Sequence, residues 1–204
     1  MVQRVAYGAF HGVREAQLLA TAGRVVGHAT RGPHTRRAFR DWLKDQGLWD
    51  KEHTPDALAF LDVQLEASVT AGPWAQSFFA AEDDEATRAA LFTRLTEQNT
   101  LLVKYVLEAL DVDAGGRLHS THELHRMLSS YVYPGEPIKL VPFQHWIAWM
   151  VASGRIKLIG IRWGLTADGK AAVPRLRMVD ADELLEDEAA ERQAATAPPA
   201  SSAQ

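Results

Sequence analysis

Three histidines at three-residue spacing, His119, His122 and His125 in HSTHELH, form the one visible metal candidate in this chain. Zinc favours imidazole nitrogens, and helix neighbours three apart can share an ion. A metalloprotease helix sets its histidines four apart with a glutamate after the first. Here His122-Glu123-Leu124-His125 is one residue too short. Without a fourth ligand nearby, the expectation is no metal site and no cofactor. A metal-dependent enzyme using this triplet is the third of three function classes. No nucleophile elbow, Walker loop or dinucleotide fingerprint occurs. The lack of cysteine removes thiolate ligands, disulfides and cysteine nucleophiles. The chain reads as non-enzymatic.

A second set of residues suits phosphate. The net charge of −4 hides a strong segmentation. Residues 139–179 hold seven basic side chains against Asp168 alone, and residues 1–40 hold seven arginines against Glu15 alone. Residues 41–138 are acidic, with seven basic against seventeen acidic residues, and the tail from Asp180 sets seven acids against Arg192. Nucleic acid responds to the local field and not to the total. The candidate phosphate contacts are Lys139, Arg155, Lys157, Arg162, Arg175 and Arg177. Arg36, Arg37 and Arg40 form a possible second basic patch. They sit in the first half of a helix, against its dipole, and either meet phosphate or pair with Asp41 and Asp45.

These side chains need elements to carry them. Glu15 to Ala22 predicts a helix stopped at Gly23, while Arg4 to Phe10 reads as a short strand or a helix start. A second helix opens at Pro33 and runs to about Gln46 with Phe39, Trp42 and Leu43 inward. Thr54-Pro55-Asp56 opens a third, to about Ala67 with a Leu58, Leu61, Leu65 stripe. A short amphipathic piece follows Gly72-Pro73 and buries Trp74, Phe78 and Phe79. The acids from Glu82 to Glu85 suit the N-terminus of the longest helix, ending near Leu110, and Asp111 to Gly116 marks a boundary. Ser120 and Glu123 match a capping box for a helix to about Tyr131.

Pro142 opens the next helix, in which Phe143, Trp146, Ile147 and Met150 make a core stripe. Its opposite face carries Gln144, His145, Ala148 and Ala152, with Trp149 at the margin. Gln144 and His145 lie in the first turn, where a recognition helix reaches base edges. Ser153-Gly154 ends it. A strand from Arg155 breaks phase at Gly160, read as a bulge, so that Ile161, Trp163 and Leu165 face inward. The Asp168-Gly169 signal predicts a turn, and a return strand puts Arg175 and Arg177 on one face.

The order of helix 121–131, helix 142–152 and hairpin from Arg155 resembles the winged-helix superfamily. Leu165-Thr166-Ala167-Asp168-Gly169 is similar to the L-T-x-x-G element after the wing in MarR- and PadR-like regulators. The resemblance covers about residues 118–179 and implies a DNA-binding fold. It also implies that Thr166 caps a further helix, in conflict with the return strand. Many winged helices instead serve protein contacts in larger assemblies.

The expected fold is mainly α: a helical N-terminal region (1–113), a winged-helix domain with a short hairpin wing (114–179), and an acidic tail (180–204) disordered from about 194. The leading expectation is a winged-helix protein that holds double-stranded DNA through a basic wing, as a transcriptional regulator or accessory factor. The alternative is an interaction subunit that meets a protein partner through the Trp149, Ala148 and Ala152 face. The longest apolar run, Val141 to Ala152, is too short to span a bilayer, so no membrane role and a cytoplasmic location are expected.

Overall fold

A computed structural model describes residues 7–133 and 135–196 of the chain. It is mainly helical, with two small antiparallel sheets. The elements follow in the order α1 (Glu15–Thr30), β1 (His34–Thr35), α2 (Arg36–Asp45), α3 (Thr54–Phe60), β2 (Val63–Leu65), β3 (Ser68–Ala71) and α4 (Pro73–Phe79). Next come α5 (Asp84–Leu110), α6 (Thr121–Leu128), α7 (Leu140–Ala152), β4 (Ile156–Ile159), β5 (Arg162–Leu165), α8 (Ala167–Arg177) and α9 (Ala181–Thr196).

The two halves repeat one plan. In the first, β1 pairs with β3, which pairs with β2, so the last strand lies in the middle. In the second, His119 forms an isolated antiparallel bridge to Trp163 of β5, and β5 pairs with β4. The correspondence reaches single residues. His34 lies opposite Val69, the second residue of β3, as His119 lies opposite Trp163, the second residue of β5. Thr35 and Ser120 then cap α2 and α6 through their hydroxyls. Phe39 and Leu43 are buried four and eight residues after the first cap, and Leu124 and Leu128 after the second.

Several expectations change. Gly23 does not stop α1, which continues to Thr30, since a glycine costs a helix only about 1 kcal/mol and Val25, Val26 and Ala29 are buried beyond it. Pro33 precedes β1, and α2 starts at Arg36. The third helix ends at Phe60, not Ala67. Asp62 turns the chain at φ 57°, and its carboxylate accepts the Trp74 amide at 3.0 Å, which leaves 63–71 free to pair as a hairpin. Phe78 is buried, but Trp74 is only half-buried and Phe79 is exposed. The Ser120–Glu123 capping box is present, though α6 stops at Leu128.

The largest change follows Arg155. The hairpin turns at Gly160 and Ile161, where Gly160 has φ 64°, and not at Asp168-Gly169. Positive φ at the first turn residue marks a tight two-residue hairpin and not a bulge. Ile161 therefore points to solvent, 87 % exposed, although Leu165 is buried. The expected return strand is instead helix α8. The Thr166 hydroxyl accepts the Gly169 amide at 3.0 Å, and Gly169 is closely packed: a Cβ there would sit 2.0 Å from the Arg155 carbonyl oxygen. Pro174 lies inside that helix.

One continuous set of buried side chains runs through both halves. The expected domain boundary at residue 113 leaves α5 on the N-terminal side, whereas α5 packs on α6, α7 and α8. This helix kinks at Asn99, whose side-chain amide donates to the Tyr7 hydroxyl and whose carbonyl accepts from Tyr133. Of the stretch Arg4 to Phe10, residues 4–6 lie outside the described residues, and 7–10 form neither strand nor helix. In the tail, α9 reaches Thr196; the rest of the segment expected to be disordered lies outside the described residues.

Candidate interaction surface

The side chains chosen for a groove-reading helix are not on one open face. Gln144 is exposed, but the His145 ring makes a 3.0 Å hydrogen bond from Nδ1 to the Tyr7 carbonyl and meets His53 at 4.8 Å between ring centroids. Burial holds this imidazole below its ordinary pKa. Trp149 is fully buried, and its indole N–H donates to the Gly8 carbonyl at 3.0 Å. Ala152 is buried and Ala148 half-buried, because α7 packs against α1. The partner face expected at Trp149, Ala148 and Ala152 is thus occupied from within the chain.

The helix at the same place in the first half, α3, is closed off too. A Cβ on Gly8 would lie 1.7 Å from the His53 carbonyl oxygen, so the backbone of the N-terminal segment lies directly on the start of α3. The Phe60 ring lies tilted against Trp149 at 4.8 Å and against Tyr7 at 5.0 Å between centroids. The segment from Tyr7 to Phe10 is therefore held between α3 and α7. Each helix has most of its apolar surface covered.

The basic side chains divide into engaged and free. Arg155 is mostly buried, lies 4.5 Å over the Phe92 ring and pairs with Asp168 at 3.4 Å. Arg162 donates to the Leu118 carbonyl and pairs with Glu123 at 3.4 Å. Arg177 pairs with Asp111 at 2.7 Å. Lys139, Lys157 and Arg175 are exposed and have no carboxylate partner among the described residues. Because α8 replaces the return strand, Arg175 and Arg177 stand on a helix beyond the hairpin. In the second patch Arg37 pairs with Asp41 at 3.7 Å, Arg36 is exposed, and Arg40 is half-buried with an unpartnered Nε.

The histidine triplet does not converge. His119 is buried in its bridge with Nδ1 lacking a partner, and desolvation lowers its pKa. His122 is exposed, and the His125 ring bonds the Ile138 carbonyl at 2.8 Å. Among the described residues no group of three or more potential ligands stands close enough to hold a metal. The acids at Glu82 to Glu85 supply Asp83 as the cap of α5.

A feature that charge counting missed lies at the tip of the second hairpin. Leu158 is 56 % exposed, Ile159 43 % and Ile161 87 %. Three aliphatic side chains at one hairpin end face water, beside the single free cation Lys157. The signal was available in Leu158-Ile159-Gly160-Ile161, since a glycine at the first turn position permits a two-residue turn that ends the hairpin there. Among the described residues no helix is long and apolar enough to cross a membrane. No family model, no curated protein and no solved structure matches this chain.

Proposed function

We propose that the chain is a non-enzymatic tandem winged-helix protein, an interaction subunit that docks a protein partner through its second wing. Supporting the fold reading is the plan helix, strand, helix, helix and hairpin, followed twice with the last strand in the middle of each sheet. The observation that carries the function is the aliphatic wing tip of Leu158, Ile159 and Ile161. Isolated apolar residues on a surface are ordinary, but a contiguous set on a projecting hairpin marks a contact site. Interfaces place apolar residues at the centre and charge at the rim, and Lys157 has the rim position. A wing that tracks phosphates presents the reverse arrangement.

The second reading is the binding of duplex DNA by backbone contacts. It is favoured by Lys139, Lys157 and Arg175, exposed and without carboxylates. Against it stand the covered helices α3 and α7 and the neutralised Arg155, Arg162 and Arg177. A titration of the full chain on duplex DNA at rising salt separates the two. The three candidate contacts left free, Lys139, Lys157 and Arg175, support a slope of about three and correspondingly weak binding at physiological salt. Tight binding whose slope falls by about one on Lys157→Ala would establish the DNA reading instead.

A further inference from the structure

The second wing has an open strand edge. β4 pairs only with β5, and no described residue pairs with its other side. Because Gly160 and Ile161 make a two-residue turn, Ile159 and Arg162 close the ladder and Lys157 and Gly164 form the next hydrogen-bonded pair. The amide and carbonyl of Leu158 consequently face away from β5. Sheet edges are normally blunted by charge, proline or bulges, which keep foreign strands off. β4 carries one lysine among aliphatic residues, and both Leu158 and Ile159 are exposed. Ile156 and Lys157 also line a groove of about 670 Å³ whose other wall includes Glu15, Ala16 and Leu19 of α1 and Asp84 and Arg88 of α5.

Resting on the reading that this wing docks a protein, we propose that the free edge of β4 takes an extended segment of the partner as an added strand. That segment is aliphatic, with a single carboxylate set opposite Lys157. Backbone groups at strand spacing are completed by another strand, with alternate side chains giving selectivity. The charge preference follows from the neighbours. Arg155 and Arg162 already carry Asp168 and Glu123, whereas Lys157 in the middle of β4 carries no acid among the described residues; Glu15 and Asp84 line the other wall of the groove, so a carboxylate fits only opposite Lys157. A second copy of this chain is a poor occupant. Self-pairing of a four-residue strand buries far less than the roughly 1,200 Å² of a stable interface, and it brings two positive wings together.

Panning a phage-displayed library of random dodecamer peptides on the full chain tests this. The selected peptides should be rich in Val, Ile or Leu and carry one Asp or Glu. Leu158→Pro removes the outward amide and spares the β4–β5 ladder, so it should weaken the selected peptides about tenfold beyond Leu158→Ala, which removes the side chain alone, as for one lost hydrogen bond. Lys157→Glu, at an exposed position, should switch the selection to basic peptides. Peptides with helical spacing, or binding to Leu158→Pro no weaker than to Leu158→Ala, overturn the added strand. If those peptides are nevertheless lost on Ile161→Asp, docking at the wing still stands; indifference to both changes removes docking as well. Sedimentation as a dimer that Leu158→Pro dissociates assigns the edge to a second copy, and tighter peptide binding after deletion of residues 180–204 assigns it to the acidic tail. Either result overturns the proposal.

Discussion

Trp149 shows how far a residue's neighbours decide its role. At the margin of an apolar stripe it suits a surface anchor, yet it is fully buried with its N–H on the Gly8 carbonyl. Trp149→Phe removes that donor and orphans a buried carbonyl, so it should lower the unfolding free energy by about 1–3 kcal/mol in urea titrations. An exposed anchor would leave the midpoint unchanged. The histidines make a second prediction at this scale. Desolvation holds His28, His119 and His145 below the ordinary value of 6.5. The folded state therefore favours their neutral forms. The stability this contributes is full above pH 6.5 and is lost as pH falls through the lower folded pKa values. The thermal unfolding midpoint should thus fall as pH drops below about 6.5. Replacing His145 with Asn, which keeps a donor for the Tyr7 carbonyl, should flatten that dependence. Asp50 and Glu123 are lowered by backbone hydrogen bonds from His53 and from Ser120, so their contribution is lost in a separate, more acidic window.

Among the elements, α8 carries the clearest contrast between sequence and structure. Residues 170–178 alternate Arg175, Leu176, Arg177 and Met178 as a strand would, but the pattern is too short to exclude a helix. The cap at Thr166 and the close fit of Gly169 decide it. The winged-helix resemblance had implied that cap, and the local pattern alone pointed the other way. Pro174 inside α8 lacks the amide that a helix interior uses. Pro174→Ala should therefore raise stability by about 1–3 kcal/mol, measured by thermal unfolding, whereas at a strand edge it would change little. Capping signals proved the most legible: Ser120 with Glu123, and the acids before α5, are read directly. Short strands were the least legible. Val63 to Ala71 continues the apolar content of α3, and only the positive φ of Asp62 and its bond to Trp74 divide the two.

For the whole molecule, the internal repeat was hidden because it survives in few residue types. His34-Thr35 and His119-Ser120 match, as do the buried positions four and eight residues after each cap. The connections between the paired helices differ in length: α2 and α3 are separated by residues 46–53, α6 and α7 by residues 129–139. Charge segmentation likewise misled, since it counts cations without their partners, and the fold supplies carboxylates to Arg155, Arg162 and Arg177. What remains exposed on the β4–β5 hairpin is mainly aliphatic. The most direct test isolates the tagged full chain, alongside Ile161→Asp, from cells that naturally make it. One protein should co-isolate at stoichiometric amount with the native chain and be lost with Ile161→Asp. The same protein retained by both, or nucleic acid alone co-isolating and released by Lys157→Ala, would contradict it.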